Sequence, residues 1–335
     1  MTSLKDTWKL LEQDFQNSLI LRDVEIPNIS FFDISLSAGL TTDQTRFVLI
    51  TTECLGEQPL KLPQFIGFST ELTEKPFEGG ISLEIRLSRD EFHEIFDLLI
   101  QNVRETIGIS SDSRDAVNRI FTRFEIWQEF LSKVSLSGMN EQRQRGLFGE
   151  LYLLRQHLIP ALGVEDAIRS WVGPANAHQD YQFPQYALET KTTKTLRPQT
   201  ITISSELQLD IGNKKGLFLV HLSFDEGQSS GENLNDMINS LQEIIGAGLQ
   251  RAQFDEMLFR SGYSAEHSKH YDTPYELRVM SCFQVTPEFP RIEEGDLPKG
   301  VGRVSYALSL DACAEYEISS ETMIATVREG LAGNG

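Results

Sequence analysis

Cysteine is rare in this chain, and long apolar runs are absent. Cys54, Cys282 and Cys313 are the three cysteines in 335 residues, and they show no metal-ligand spacing. An odd, scattered set argues against a disulfide framework and suits a reducing compartment. No apolar run is long enough to cross a membrane, and the first residues lack the charged-then-apolar pattern of a secretory signal. We therefore expect a cytoplasmic protein without membrane contact.

The motifs of two common enzyme classes are missing as well. No Gly-rich phosphate loop of the Walker type is present, which argues against ATP hydrolysis by this chain. Neither a Gly-x-Ser-x-Gly phrase nor a Cys/His pattern indicates acyl transfer.

Basic residues are scarce, and their distribution is uneven. The chain has 30 Lys and Arg against 49 Asp and Glu, a net charge of -19. Residues 138–230 hold 9 basic and 10 acidic residues, whereas residues 1–137 hold 13 and 22 and residues 231–335 hold 8 and 17. A protein that binds nucleic acid tightly by itself usually shows a basic footprint. A nearly neutral middle between two acidic flanks predicts weak binding to free DNA.

The most informative segment that is present runs from Asp180 to Lys191. A turn at Pro184-Gln185 predicts a β-hairpin with the pairs Phe183–Tyr186, Gln182–Ala187, Tyr181–Leu188 and Asp180–Glu189. Opposite residues have Cβ atoms roughly 5 Å apart, and alternation puts Lys191 on the same face as Glu189. One face is apolar and the other carries two acids and a base, an arrangement typical of a divalent-metal site for phosphodiester hydrolysis. The alternative is a chance Glu-x-Lys triplet on a solvated sheet face.

A helix that precedes the hairpin adds a third carboxylate. Leucines at helical spacing predict a helix from Asn140 to Leu158, with Asn140 as its N-cap. Glu150 lies at the edge of the leucine stripe, where an acid needs a partner or a metal. The alternative is an ion pair with Arg143, Arg155 or a neighbouring strand.

The order of elements and several short phrases carry a family resemblance. After the hairpin come a β-branched run at 200–203, an apolar strand at 216–220 and an amphipathic helix from Leu234 to Ile245. This order is similar to the PD-(D/E)XK nuclease fold. The phrases Gly146–Leu153, Ser170–Pro174, Gln179–Tyr181, Leu188–Thr193, Ile203–Leu209, Phe289–Ile292 and Val304–Tyr306 resemble a bacterial family of PD-(D/E)XK members of unknown function. The chain departs from the pattern at Gln179, where the proline of the family name usually stands.

The resemblance implies a fold and an organisation. We expect an α/β protein with a restriction-endonuclease-like core, in which helices flank a central mixed sheet. The expected segments are an N-terminal α+β module at 1–110, a connecting helix and linker at 111–137, the nuclease-like core at 138–265 and a β-rich C-terminal extension at 266–335.

The resemblance also implies the chemistry. Asp180 and Glu189 would ligate Mg²⁺, or Mn²⁺ in its place, with the backbone carbonyl of Thr190 as a further ligand. Glu150 would hold a second metal or orient a water, and Lys191 would position the attacking water and stabilise the transition state. Further candidates, for contact with DNA, are Thr192, Thr193, Lys194, Arg197 and Gln208. For the first four of these, an ordinary strand end and basic loop is the alternative.

The resemblance finally suggests a biological setting. Genes of this family tend to lie beside DNA methyltransferase and ATPase or helicase-like genes in restriction and phage-defence clusters. We therefore expect a DNA endonuclease that acts with such partner subunits, and one site per chain makes a homodimer reasonable. The rival expectation is a nuclease-like subunit that binds DNA or partners without cutting.

Overall fold

The computed structural model describes residues 4–13, 20–23, 33–53, 62, 64–75, 80–133, 138–175, 177–195, 199–227 and 230–332. The chain forms two compact units, Met1–Leu136 and Ser137–Gly335. The predicted segments 1–110 and 111–137 thus fall in the first unit, and 138–265 and 266–335 share the second. Arg197 and Cys54 lie outside the described residues. No helix in the described ranges is long and apolar enough to span a bilayer.

The first unit is an antiparallel sheet with helices. Its strands are β1 (Ile20–Asp23), β2 (Ile34–Leu40), β3 (Arg46–Thr52), β4 (Phe68–Lys75) and β5 (Gly80–Leu87), in the spatial order β1-β2-β3-β5-β4. Its helices are α1 (Leu4–Gln13), α2 (His93–Gly108) and α3 (Ser113–Lys133). The apolar stripe of α3, from Val117 to Leu131, is buried. The α+β prediction for this module is confirmed.

Two boundaries in the first unit differ from those that the sequence alone predicts. The run 62–68 is strand-like in sequence, but the residues that pair with β5 begin at Phe68. The phrase Ser88–Glu91 has the pattern of a capping box, but a 3-10 turn at Asp90–Phe92 precedes α2, its N-cap is Arg89, and the side chain of Glu91 lies outside the described residues. Such boundaries depend on local turns.

The second unit holds the central mixed sheet. Its strands are β6 (Tyr181–Gln182), β7 (Tyr186–Thr193), β8 (Thr200–Ile203), β9 (Gly216–Glu226), β10 (Tyr275–Val285), β11 (Tyr306–Ser309) and β12 (Glu317–Ile318). The sheet order is β12-β10-β9-β7-β6, and β8 and β11 form a separate two-stranded sheet. Strands β7 and β9 are parallel, whereas the other pairs of the central sheet are antiparallel. The first nine residues of β9 are all buried, as expected for a strand covered on both faces.

Helices flank this sheet, as predicted. They are α4 (Glu141–Leu153), continued by a π-helical turn at Leu154–Leu158, then α5 (Ile159–Leu162), α6 (Val164–Ser170), α7 (Leu234–Ile245), α8 (Leu249–Ser261) and α9 (Ser320–Ala332). Asn140 caps α4 by accepting the backbone N–H of Arg143 at 3.0 Å, which confirms the predicted N-cap. The larger apolar core packs Leu151, Leu188, Val220 and Leu241 together on one face of the sheet. A smaller core on the other face joins Leu219 and Phe283 to Ile203 and Leu308 of the two-stranded sheet.

The C-terminal segment 266–335 contains strands and one long helix. Its sequence runs 275–285 and 301–310 each predict a strand. The first is β10, which pairs along β9, whereas the second shortens to β11. Helix α9 follows these strands, and the sequence pattern does not predict it.

Candidate functional site

The predicted hairpin forms with the predicted register. Tyr181 pairs with Leu188 and Gln182 with Ala187, while Phe183 donates its N–H to the carbonyl of Tyr186 at 2.8 Å. The regular strand β6 is two residues long, so Asp180 lies immediately before it. The register carries the carboxyl of Asp180 to the backbone of Thr190, whose N–H donates to Asp180 Oδ2 at 2.7 Å.

A close approach of the segment 172–173 fixes Asp180, which lies immediately before β6. Its carbonyl accepts the N–H groups of Val172 and Gly173, both at 2.9 Å. A Cβ added at Gly173 would lie 2.8 Å from the Cα of Asp180, nearer than side-chain carbons pack. Glycine is therefore required at 173, and the segment 172–173 fixes the position of Asp180.

Glu189 and Lys191 form a buried ion pair beside Asp180. Lys191 Nζ lies 2.7 Å from Glu189 Oε1, and Glu189 is 1% exposed. Within the described part of the chain, the second oxygen of Glu189, Oε2, is buried and has no hydrogen-bond partner. Burial, and then the neighbouring charge of Asp180, raises the pKa of Glu189 to about 8.

The pKa of Lys191 is set by a competition between burial and its acidic neighbours. Burial alone would lower its pKa, but the carboxylates of Glu189 and Asp180 outweigh burial and raise the pKa above its ordinary value. Lys191 therefore stays a cation at neutral pH.

Glu150 faces the same carboxylates from α4. Its Oε2 accepts the indole N–H of Trp171 at 2.8 Å, and its backbone carbonyl accepts the hydroxyl of Tyr181 at 2.7 Å. Burial and the charge of Asp180 raise its pKa well above the ordinary value. Arg155, one of the alternative partners, donates instead to both oxygens of Glu232, at 2.6 and 2.5 Å.

A short 3-10 helix, Glu206–Leu209, supports the site from the other side of the lysine. Gln208 Oε1 accepts from Lys191 Nζ at 2.9 Å and from the backbone N–H of Ser204 at 2.8 Å. Gln179, which stands in place of the family proline, donates to the carbonyl of Leu207 at 2.8 Å. The two glutamines thus tie this helix both to the lysine and to the residue before Asp180.

The same 3-10 helix is anchored to the C-terminal segment. Glu206 is 5% exposed, and it accepts the backbone N–H groups of Arg303 at 3.0 Å and Val304 at 2.7 Å. Backbone N–H groups, first its own and then that of Val304, lower the pKa of Glu206. Arg291 donates to the carbonyl of Leu209 at 2.9 Å.

The candidates for DNA contact occupy different environments. Thr193 is buried and its hydroxyl is within 2.9 Å of His221 Nε2, whereas Thr192 is half-buried. The side chain of Lys194 is 50% exposed and lies 3.2 Å from Glu226. Gln208 contacts Lys191, as described above, and Arg197 lies outside the described residues.

Sequence reasoning missed several residues that the fold brings to this site. Trp171 donates to Glu150, and Gln179 donates to the 3-10 helix. His221 contacts Thr193 from the adjacent strand. The one local signal was that a buried Trp N–H needs an acceptor. Which acceptor it finds depends on tertiary packing.

The side chains of the site fit a divalent cation in kind, although they are not arranged as a finished cage. Across the described ranges, no three His, Cys, Asp or Glu side chains are grouped closely enough to hold a metal ion. Asp180, Glu189 and Glu150 each have one oxygen on another partner, namely Thr190 N–H, Lys191 and Trp171. The mutual repulsion of the carboxylates and the unpartnered Glu189 Oε2 are the features that a cation would relieve.

Comparison with known proteins agrees with this architecture. A family model described as "Putative PD-(D/E)XK family member, (DUF4420)" matches residues 4–311. Neither the curated proteins nor the solved structures yield a match to the chain.

Proposed function

We propose that this chain hydrolyses phosphodiester bonds of DNA as a metal-dependent endonuclease. Through the match over residues 4–311, the chain belongs to the PD-(D/E)XK family. The observation that supports the proposal most directly is the buried group of acidic side chains around Glu189. In the described residues its Oε2 has no partner, and its pKa is raised to about 8 by burial and by Asp180. A buried carboxylate left in this state costs stability, and that cost suits a functional site better than a structural one.

Each residue has a distinct part in the proposal. Asp180, Glu189 and the carbonyl of Thr190 would hold Mg²⁺, or Mn²⁺ in its place, and Glu150 would hold a second ion or orient a water. A bound cation would lower the pKa of an attacking water and shield the charge of the phosphate. Lys191, held by Glu189 and Gln208, positions that water and stabilises the added charge. Because its pKa is raised, Lys191 acts as a fixed cation and not as a base.

The charge of the chain supports a role within a larger assembly. The net charge of -19 opposes binding to free DNA. We propose that partner subunits of a restriction or phage-defence system, of the methyltransferase, ATPase or helicase kind, bring DNA to this chain in the cytoplasm, and that a homodimer could cut both strands.

The test is a cleavage assay on plasmid and linear DNA with Mg²⁺, Mn²⁺ or EDTA, with and without candidate partners. Wild type is compared with Glu189→Ala and Lys191→Ala, and with Glu165→Gln as a control, since Glu165 is 70% exposed. We expect metal-dependent cutting that both site variants abolish and the control retains. Cutting that survives both site variants would place the active site elsewhere.

A second candidate function is a DNA-binding or scaffolding subunit that does not cut. It is favoured by one observation, the lack of a preformed metal cage among the described residues. Absence of cutting under every condition, together with DNA or partner binding that Glu189→Ala leaves unchanged, would favour this candidate.

A further inference from the structure

A second polar cluster lies beyond the candidate site, at the carboxyl ends of the two parallel strands. Glu226 is the last residue of β9, and Lys194 directly follows β7. Glu226 Oε1 lies 2.6 Å from Arg145 Nη1, and its Oε2 lies 3.2 Å from Lys194 Nζ. The carboxylate of Glu226 therefore pairs with both Arg145 and Lys194. Glu141 lies 3.7 Å from Lys194, but its side chain is 76% exposed and its charge is screened by water.

The cluster contains buried donors that remain unused. Within the described residues, Arg145 Nε and the hydroxyl of Tyr275 are buried and have no hydrogen-bond partner. Tyr275 pairs with Glu226 across β9 and β10, and Phe148 and Phe224 pack around its ring, with centroids 4.8 and 6.1 Å away. Unsatisfied buried donors are costly, so their presence beside two cations indicates a place for an anion.

The cluster and the candidate site share two elements. Arg145 and Glu150 both lie on α4, five residues apart, or about 7.5 Å along the helix axis. Lys194 follows Lys191 by three residues, or about 10 Å of extended chain. Along a nucleic-acid strand, these distances correspond to a few nucleotides.

We propose that Arg145, Lys194 and the hydroxyl of Tyr275 bind a backbone phosphate of the nucleic acid a few nucleotides from the cleaved bond. Glu226 holds the two cations in the free protein and is displaced from them by the phosphate. This inference rests on the proposed nuclease function, because it assigns the cluster to the same substrate. It also reconciles the basic residues beside the site with the weak binding to free DNA that the net charge predicts, because Glu226 pairs with both cations.

The experiment measures binding of a fluorescent duplex DNA by anisotropy, in EDTA and over a range of salt concentrations. Glu226→Gln frees two cations. Glu232→Gln is the matched control, because it makes the same change in net charge and breaks an ion pair of similar length, that of Arg155. We expect Glu226→Gln to bind about tenfold more tightly than Glu232→Gln, with a salt dependence steeper by about 0.9 for each new phosphate contact.

A second variant distinguishes a gain in affinity through Lys194 from a gain caused by an altered fold, which would not depend on Lys194. Adding Lys194→Gln, at a half-exposed side chain, should remove most of the gain in affinity. Equal affinity of Glu226→Gln and Glu232→Gln, or a gain that Lys194→Gln does not reduce, would overturn the inference. Failure of the nuclease proposal looks different: the Glu226 effect on binding would persist, but no metal-dependent cutting would occur.

Discussion

Two glutamates in the second unit are almost fully buried and have opposite electrostatics. Glu206, 5% exposed, has a pKa lowered by backbone N–H groups, first its own and then that of Val304, and it also accepts from Arg303. Glu189, 1% exposed, has a pKa raised to about 8 by burial and by Asp180, and its Oε2 has no partner among the described residues. Backbone donors outweigh burial at Glu206, whereas burial dominates at Glu189.

The difference separates a structural role from a functional one. Glu206 joins the 3-10 helix to the segment 303–304, and its hydrogen bonds offset the cost of removing it from water. Glu189 lies between Lys191 and a second acid, and its environment improves if a cation arrives. The comparison can be sharpened or broken by substituting each glutamate in turn.

The largest expected difference is in catalysis. Glu189→Gln should reduce metal-dependent cleavage by about a thousandfold, because it removes a charged ligand, an effect of about 4 kcal/mol on the barrier. Glu206→Gln should stay within about fivefold of wild type, since an amide oxygen still accepts from the backbone. The rate of plasmid nicking measures both effects. Equal losses of cleavage rate in the two variants would contradict the assignment of different roles to the two glutamates.

The second difference is in thermal stability, and here substitution of Glu206 should be the more damaging. Glu206→Ala should lower the thermal midpoint by several degrees, because it leaves the N–H groups of Arg303 and Val304 unpaired. Glu189→Gln in EDTA at pH 8 should instead raise the midpoint, because it removes a charge whose burial is unfavourable. Differential scanning fluorimetry provides the measurement, and a lower midpoint for Glu189→Gln than for Glu206→Ala would contradict the assignment.

The third difference is in the response to pH and metal. The folded pKa of Glu189, about 8, lies above its ordinary value of 4.5, so the folded state binds more protons in that window. Metal-free stability contributed by this group is therefore lost as pH rises from about 4.5 to about 8. Mg²⁺ at about tenfold its Kd should raise the midpoint by about 3–5 °C at pH 8.5 and by much less at pH 6.

The matched variants again provide the control for this prediction. Glu206→Gln should keep the pH-dependent shift caused by Mg²⁺, and Glu189→Gln should lose it. A shift that is independent of pH, or one that survives Glu189→Gln, would show that the cation binds elsewhere.

The smallest expected effect concerns the link between the two glutamates. Gln208 contacts Lys191 from the helix that Glu206 anchors. Gln208→Ala should lower kcat by about tenfold with little change in KM, since it loosens the lysine without removing its charge. Because Lys191 then loses a hydrogen bond, the pH–rate profile should also shift. A change in KM alone would instead assign Gln208 to DNA binding.

Much of this site could be predicted because its geometry is local. The hairpin register follows from the turn at Pro184-Gln185 and from strict alternation, so the approach of Asp180 to the Glu189–Lys191 strand could be derived from the sequence. The N-cap at Asn140 and the helix Leu234–Ile245 are local patterns of the same kind.

The rest depends on contacts between distant segments. Glu206 meets Arg303 and Val304 across almost a hundred residues, and Trp171 meets Glu150 across 21. No spacing rule relates such residues. The contrast between Glu189 and Glu206 could therefore not be seen in the sequence, where both are glutamates in β-rich surroundings.

The central claim is that Glu189 belongs to a divalent-cation site, and Mn²⁺ titration followed by electron paramagnetic resonance at pH 8 tests it most directly. The account predicts that wild type and Glu206→Gln bind Mn²⁺ alike and that Glu189→Gln binds it at least about tenfold more weakly. Equal Mn²⁺ binding by all three proteins, or no binding by any, would contradict it.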